Sequence, residues 1–218
     1  MISELWFLIQ KEFRLEWRQK TMLTGMLIYV ISTVFICYMT FKRIIDVPTW
    51  NALFWIIMIF AAINAVARSF MQESRGIQLY YYTMVHPAAV ILSKIIYNSA
   101  LLISVALIHL LFYSLFLGNE IQDMTMFLVG LLLGSTGLAA TLTLVSAIAS
   151  RASNSPSLMA ILSFPILIPL LMTIIRFSRN AIDGIDWVMN ASYVYVLLAL
   201  IGMVVTLSYL LFPYLWKD

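Results

Sequence analysis

The sequence predicts an all-α membrane protein with six spanning helices behind an amphipathic interfacial helix, and three observations carry that prediction. Hydrophobic residues make up 63% of the chain and charged ones 11%, with a mean hydropathy of +0.97, far from the balance of a soluble domain. Charges divide the chain into uncharged runs at 21–41, 47–67, 95–119, 124–150, 152–175 and 187–216. Each run is long enough for the ~20 residues that cross a hydrocarbon core of about 30 Å. The basic residues, finally, are unequally shared between the two sides so defined. Lys11, Arg14, Arg18, Lys20, Arg68, Arg75, Lys94, Arg151 and Lys217 fall on the N-terminal side, and only Lys42, Arg43, Arg176 and Arg179 on the other. By the positive-inside rule both termini are expected in the cytoplasm. The acidic residues split evenly and decide nothing.

Residues 1–20 place Ile2, Leu5, Trp6, Ile9, Phe13 and Trp17 at helical spacing among Glu4, Lys11, Glu12, Arg14, Arg18 and Lys20. This pattern suits a helix lying in the interface with lysines and arginines toward the headgroups. It serves equally a plain anchor or an elbow at the rim of a transporter. No short apolar core leads to a small-residue cleavage site, so the segment is expected to remain. Spans follow at about 21–41, 50–67, 95–117, 126–149, 158–178 and 188–212, within a single domain covering 1–218. The connections "KRIIDVPTW", "NEIQDM", "SRASNSPS" and "RFSRNAIDGIDW" are too short for a soluble domain, so any energy source must sit on another chain.

Residues 68–94 stand apart from this economy. Arg68, Phe70, Glu73, Arg75, Gly76 and Ile77 precede three tyrosines and a His-Pro. Only Lys94 separates the uncharged run 76–93 from the third span, and that leaves no loop in which to reverse. We read 68–94 as a cytoplasmic segment at the water–lipid boundary, where tyrosines keep their hydroxyls wet. A solvated basic loop would explain the arginines but not the bulky side chains beside them. His86, ahead of Pro87, is expected to interrupt helix.

Two features inside the membrane invite a role. Gly130 and Gly134 form a Gly-x-x-x-G extended by Gly137, a stripe that lets backbones approach closely, either within the subunit or between subunits. Pro165 and Pro169, four residues apart, each remove a backbone donor, so the fifth span is expected to kink or break; a static kink is the commoner outcome, and a hinge or pathway lining is the functional alternative.

Several chemistries are excluded or weak. No Gly-Lys dipeptide occurs, so there is no P-loop. Ionisable residues at membrane depth are nearly absent, against a proton relay or an intramembrane enzyme. The basic residues form no stripe interleaved with aromatics, so nucleic acid is not a partner. Cys37 is the one cysteine and serves as a small packing residue, and no metal site is expected. His109 sits within the third span. An imidazole there could ligate haem iron, but the sequence supplies no second ligand, and a histidine hydrogen-bonded to a neighbouring helix is the plainer reading.

Taken together, "ARSFMQESRGIQLYYYTMVHPAAVILSKIIYN" and "LLLGSTGLAATLTLVSAIASRASNSPSLMAILSFPILIPLLM" resemble the CcmB family, haem exporter protein B of the cytochrome c maturation system, with an ABC-2-type permease-like design. Phe70, Glu73 and Gly76 match the family pattern before the third span; Gly134, Gly137, Pro165, Ile168 and Pro169 match the later one. Met71 and Gln72 stand where many members carry Arg-Asp, so a contact relying on paired acids is weakened. The resemblance implies a bacterial inner-membrane permease paired with the ATPase CcmA and present as two copies. CcmC and CcmD would complete the complex, and the chaperone CcmE would leave it loaded with haem. It also implies that ATPase coupling falls on Arg68, Phe70, Glu73, Arg75, Gly76 and Ile77. Haem is then a substrate of the complex, not a cofactor of this chain. An ABC-2 permease for a lipid or drug, or a scaffold that transports nothing, are the competing readings.

Overall fold

In the computed structural model, the described backbone covers residues 2–19, 21–42, 44–71, 85–152 and 156–217, and the side chains of 2–3, 16–19, 21–23, 67–71, 151–152, 156–160 and 216–217 are left undescribed. Seven helices account for nearly all of it: α1 Ile2–Gln19, α2 Thr21–Phe41, α3 Val47–Met71, α4 Pro87–Leu117, α5 Met124–Ala152, α6 Pro156–Ile182 and α7 Trp187–Lys217. No strand occurs among the described residues. Six of the seven, α2 to α7, are long and apolar enough to cross a membrane, as the composition predicts. The alternation of six spans gathers 42–46, 118–123 and 183–186 at one end of the bundle, here the short-loop end. The end of α3 at Met71, the start of α4 at Pro87 and the end of α7 belong to the opposite end.

Local chemistry starts and stops these helices. Asp46 accepts the Thr49 backbone N–H at 3.2 Å ahead of α3, and Asp123 accepts that of Met126 at 2.9 Å ahead of α5. Each satisfies an N-terminal donor that has no carbonyl partner. The bond from Thr49 holds the exposed Asp46 carboxyl below its usual range. Gly118 (φ +92°) and Gly184 (φ +68°) turn the chain after α4 and α6, in a region where a Cβ would be strained.

Two boundaries differ from the sequence reading. Helix α4 begins at Pro87 rather than at 95, with His86 as an extended N-cap (φ −68°, ψ 128°) and Pro at the first helical position. Proline fits that position because its missing N–H would be unbonded there anyway, so the interruption expected at His86 falls at the helix start, and 87–94 belong to the helix. A helix of 31 residues measures about 46 Å, longer than a core of about 30 Å. Its first turns can therefore project from the core while remaining helical. Likewise α3 runs through Arg68 and Phe70 to Met71, because "RSFM" holds no glycine or proline to end it.

Helix α5 occupies the centre, the most buried of the six spans, and touches α3, α4, α6 and α7. Its alanines and glycines explain the position, since small residues admit neighbours on several sides at once. The main core joins α2 to α7, and a second cluster joins Leu8 of α1, Ala89 to Ile95 of α4, Ala140, Leu144 and Ala147 of α5, and Val204 and Phe212 of α7. Helices α2 and α7 are mostly uncovered, presenting Phe35, Ile36, Met39, Tyr195 and Leu198 as a lipid-facing surface.

Candidate functional site

The glycine stripe lies against α6 and Trp55 of the same chain. A Cβ on Gly130 would sit 2.9 Å from Phe177, one on Gly134 would meet Ile174 and lie 2.7 Å from Trp55, and one on Gly137 would lie 2.7 Å from Leu170. Phe177, Ile174 and Leu170 are successive knobs of α6, so the stripe is the groove that receives that helix. The seam is fastened by a buried polar cluster. Trp55 Nε1–H donates to Ser178 Oγ at 2.9 Å, Ser178 donates to Asn51 Oδ1 at 2.8 Å, and Asn51 Nδ2–H donates to the Ile175 carbonyl at 2.9 Å. We expect Ser178→Ala to lower the thermal unfolding midpoint of the purified chain. It strands the Trp55 N–H and one Asn51 acceptor, a penalty of about 1–3 kcal/mol for a buried unsatisfied group. An unchanged midpoint would show the cluster to be dispensable.

Both prolines lie in one continuous helix: α6 runs unbroken from Pro156 to Ile182. The helix does not break at either proline, and its contacts with α5, α3 and α7 support it where its own ladder is interrupted. Pro165 and Pro169 line a groove of about 220 Å³ with Gly137, Thr141, Leu170 and Val204, between α5, α6 and α7. The groove wall is apolar apart from Thr141.

His109 is fully buried in an aromatic box. Phe54 stacks on its ring at 4.4 Å and Tyr113 meets it edge-on at 5.2 Å. Tyr113 in turn donates to the Trp50 carbonyl at 2.9 Å. Neither imidazole nitrogen has a hydrogen-bond partner among the described residues, so the ring packs as an aromatic and not as the interhelical hydrogen bond the sequence suggested. With 0% exposure, not even a water-sized sphere reaches it, and there is no porphyrin-sized space at its nitrogens. Cys37 is half-buried against the main core, in keeping with a packing role.

The expected coupling residues divide. Arg68 and Phe70 are in the last turn of α3, with their side chains outside the description; Glu73, Arg75, Gly76 and Ile77 lie wholly outside the described residues. What is described is the frame that holds the segment. Its exit is the start of α4, where Ala88, Ala89, Val90, Ile91, Ser93 and Lys94 are all buried. Helix α1 covers this stretch. Glu4 accepts the His86 backbone N–H at 3.4 Å, a bond that holds its exposed carboxyl below the usual range. Glu12 Oε1 lies 3.5 Å from Lys94 Nζ and 3.3 Å from Lys11 Nζ, and Phe13 meets Tyr97 edge-on at 5.4 Å. The protein-facing side of α1 is therefore Glu4, Leu5, Leu8, Ile9 and Glu12, while Trp6 and Phe7 face away. Sequence reading took Lys94 as a boundary mark and missed this pair. The available signal was that Lys94 is the lone charge between 76 and 119, and a lone charge at such a depth needs a partner.

A family model described as CcmB protein matches residues 3–214, nearly the whole chain and all six spans. Neither the curated proteins nor the solved structures contain a significant match. The all-helical architecture with six spans agrees with an ABC permease. The chain belongs to the CcmB family, and is thus a multi-pass membrane component of a haem-exporting cytochrome c maturation complex.

Proposed function

We propose that this chain is the permease half of an ABC assembly in the inner membrane, with both termini cytoplasmic, and that a separate ATPase, CcmA, docks on the segment between α3 and α4. Two copies of each chain, together with CcmC and CcmD, form the working complex, and hydrolysis drives release of the haem-loaded chaperone CcmE. The observation that carries this reading is the frame just described. The longest connection of the chain returns into a helix start that α1, α5 and α7 all bury, so a push on the segment meets a rigid base instead of a slack loop. Haem enters as the cargo of the complex, and the enclosed His109 offers it no ligand.

The reading is tested by purifying the complex with each subunit omitted in turn and recording the Soret band and the ATPase rate. Omission of this chain is expected to uncouple ATP hydrolysis from chaperone release while leaving the Soret band, which belongs to a partner. Loss of the Soret band with a normal, coupled ATPase would favour a haem-binding scaffold. Orientation has its own test. In a Cys37→Ala background, single cysteines at Ser74 and Ser153 should label only from the cytoplasm, and one at Asn119, in the α4–α5 loop, only from outside. Labelling of the Ser74 position from outside would overturn the orientation.

A further inference from the structure

We infer that α1 and the first three turns of α4 form a single lever clamped by Glu12 and Lys94, through which displacement of the 72–84 segment reaches α2 as well as α4; this rests on the coupling role proposed above. The contacts between the two helices advance in the same direction. Glu4 meets the His86 backbone, Glu12 meets Lys94, and Phe13 meets Tyr97. The separation from Glu4 to Glu12 equals that from His86 to Lys94, so two turns of each helix lie in step, with Leu8 in the apolar cluster between them. A single residue separates the end of α1 at Gln19 from the start of α2 at Thr21. Whatever moves the start of α4 therefore drags α1, and with it the foot of α2.

An anchoring role alone does not account for this side of α1. The outward face, with Trp6 62% and Phe7 67% exposed, is sufficient to hold a helix in an interface. Apolar contacts tolerate a slip of one residue along a neighbouring helix. A lysine 2% exposed beside a carboxylate resists one, because a slip would part a buried charge from Glu12. Glu12 and Lys94 are thus positioning residues that fix the register of the lever.

The test has two arms, both in the assembled complex. K94E is expected to lower cytochrome c maturation about tenfold or more at unchanged ATPase capture, and the swap E12K/K94E to restore it to within about threefold, since interacting residues depart from additivity. A swap no better than K94E alone overturns the clamp, as does normal maturation with E12Q/K94M, which carries no charge at either position. In the second arm, spin labels at Phe7 and Ile96, both exposed, should keep their distance when a non-hydrolysable ATP analogue binds, while labels at Phe60 and Ile96 change theirs. A Phe7–Ile96 distance that shifts as far as the Phe60–Ile96 distance overturns the lever. If neither pair moves, the coupling role itself fails, and the lever with it; the charge swap then reports a static contact.

Discussion

Replacing Gly134 with leucine is expected to remove most of the folded chain from the membrane, whereas Leu132→Ala, two residues away, should leave it nearly intact. A single Cβ at position 134 already meets Ile174 and approaches Trp55 to 2.7 Å. Neither neighbour has room to yield. Trp55 is held by its hydrogen bond to Ser178, and Ile174 is 1% exposed in the core between α5 and α6. A leucine must therefore push the helices apart along a seam that also carries Gly130 and Gly137. Overpacking of a tight core costs about 1–3 kcal/mol and more where the backbone must move, so at least about 3 kcal/mol is expected here. Leu132 is 41% exposed and loses mainly contact with lipid. Yield of inserted chain and the thermal midpoint in detergent measure the difference. Equal yields for the two variants would mean that α5 and α6 do not meet at this stripe.

The second large effect is expected at the coupling segment. Glu73→Lys should weaken ATPase binding about tenfold or more while leaving insertion intact, since breaking a partly buried charge contact costs on the order of 2–5 kcal/mol. Residues 70, 73 and 77 share one face if helix continues past Met71, so Phe70→Ala should have the same phenotype by removing an apolar anchor. Gln72→Ala, on another face, should be mild. Co-purification of the ATPase and maturation of cytochrome c, each normalised to the membrane level of the variant, provide the measurement. Normal values for both Glu73→Lys and Phe70→Ala would leave the segment as a solvated loop.

How much of this was legible in the sequence depended on the kind of interaction. The six spans were, because crossing a bilayer demands long uncharged runs whatever the neighbours are. The glycine stripe announced close packing, but not against what; only the three-dimensional placement of Leu170, Ile174 and Phe177 shows that the partner is α6 of the same chain. The start of α4 was misplaced because Lys94 was weighed as a charge at a boundary, whereas Glu12, distant in sequence, keeps it inside the fold. His109 was expected to find a hydrogen-bond partner, and its surroundings turned out aromatic: Phe54 lies on another helix, and nothing in "SVALIHLLFYSLF" points to it. The coupling residues were legible only through resemblance and the oddness of their composition, since their partner is another chain.

The central claim, that a separate ATPase acts on this chain through the segment between α3 and α4, is tested most directly by photo-crosslinking in membranes that contain the whole complex. A photoreactive residue is placed at Glu73, and a control at Asn119 in the short-loop end between α4 and α5. The account predicts that the ATPase subunit is captured from position 73 and not from position 119, and that ATP turnover changes the yield at 73. No ATPase adduct at position 73, with the complex intact and an adduct formed instead from position 119, would contradict it.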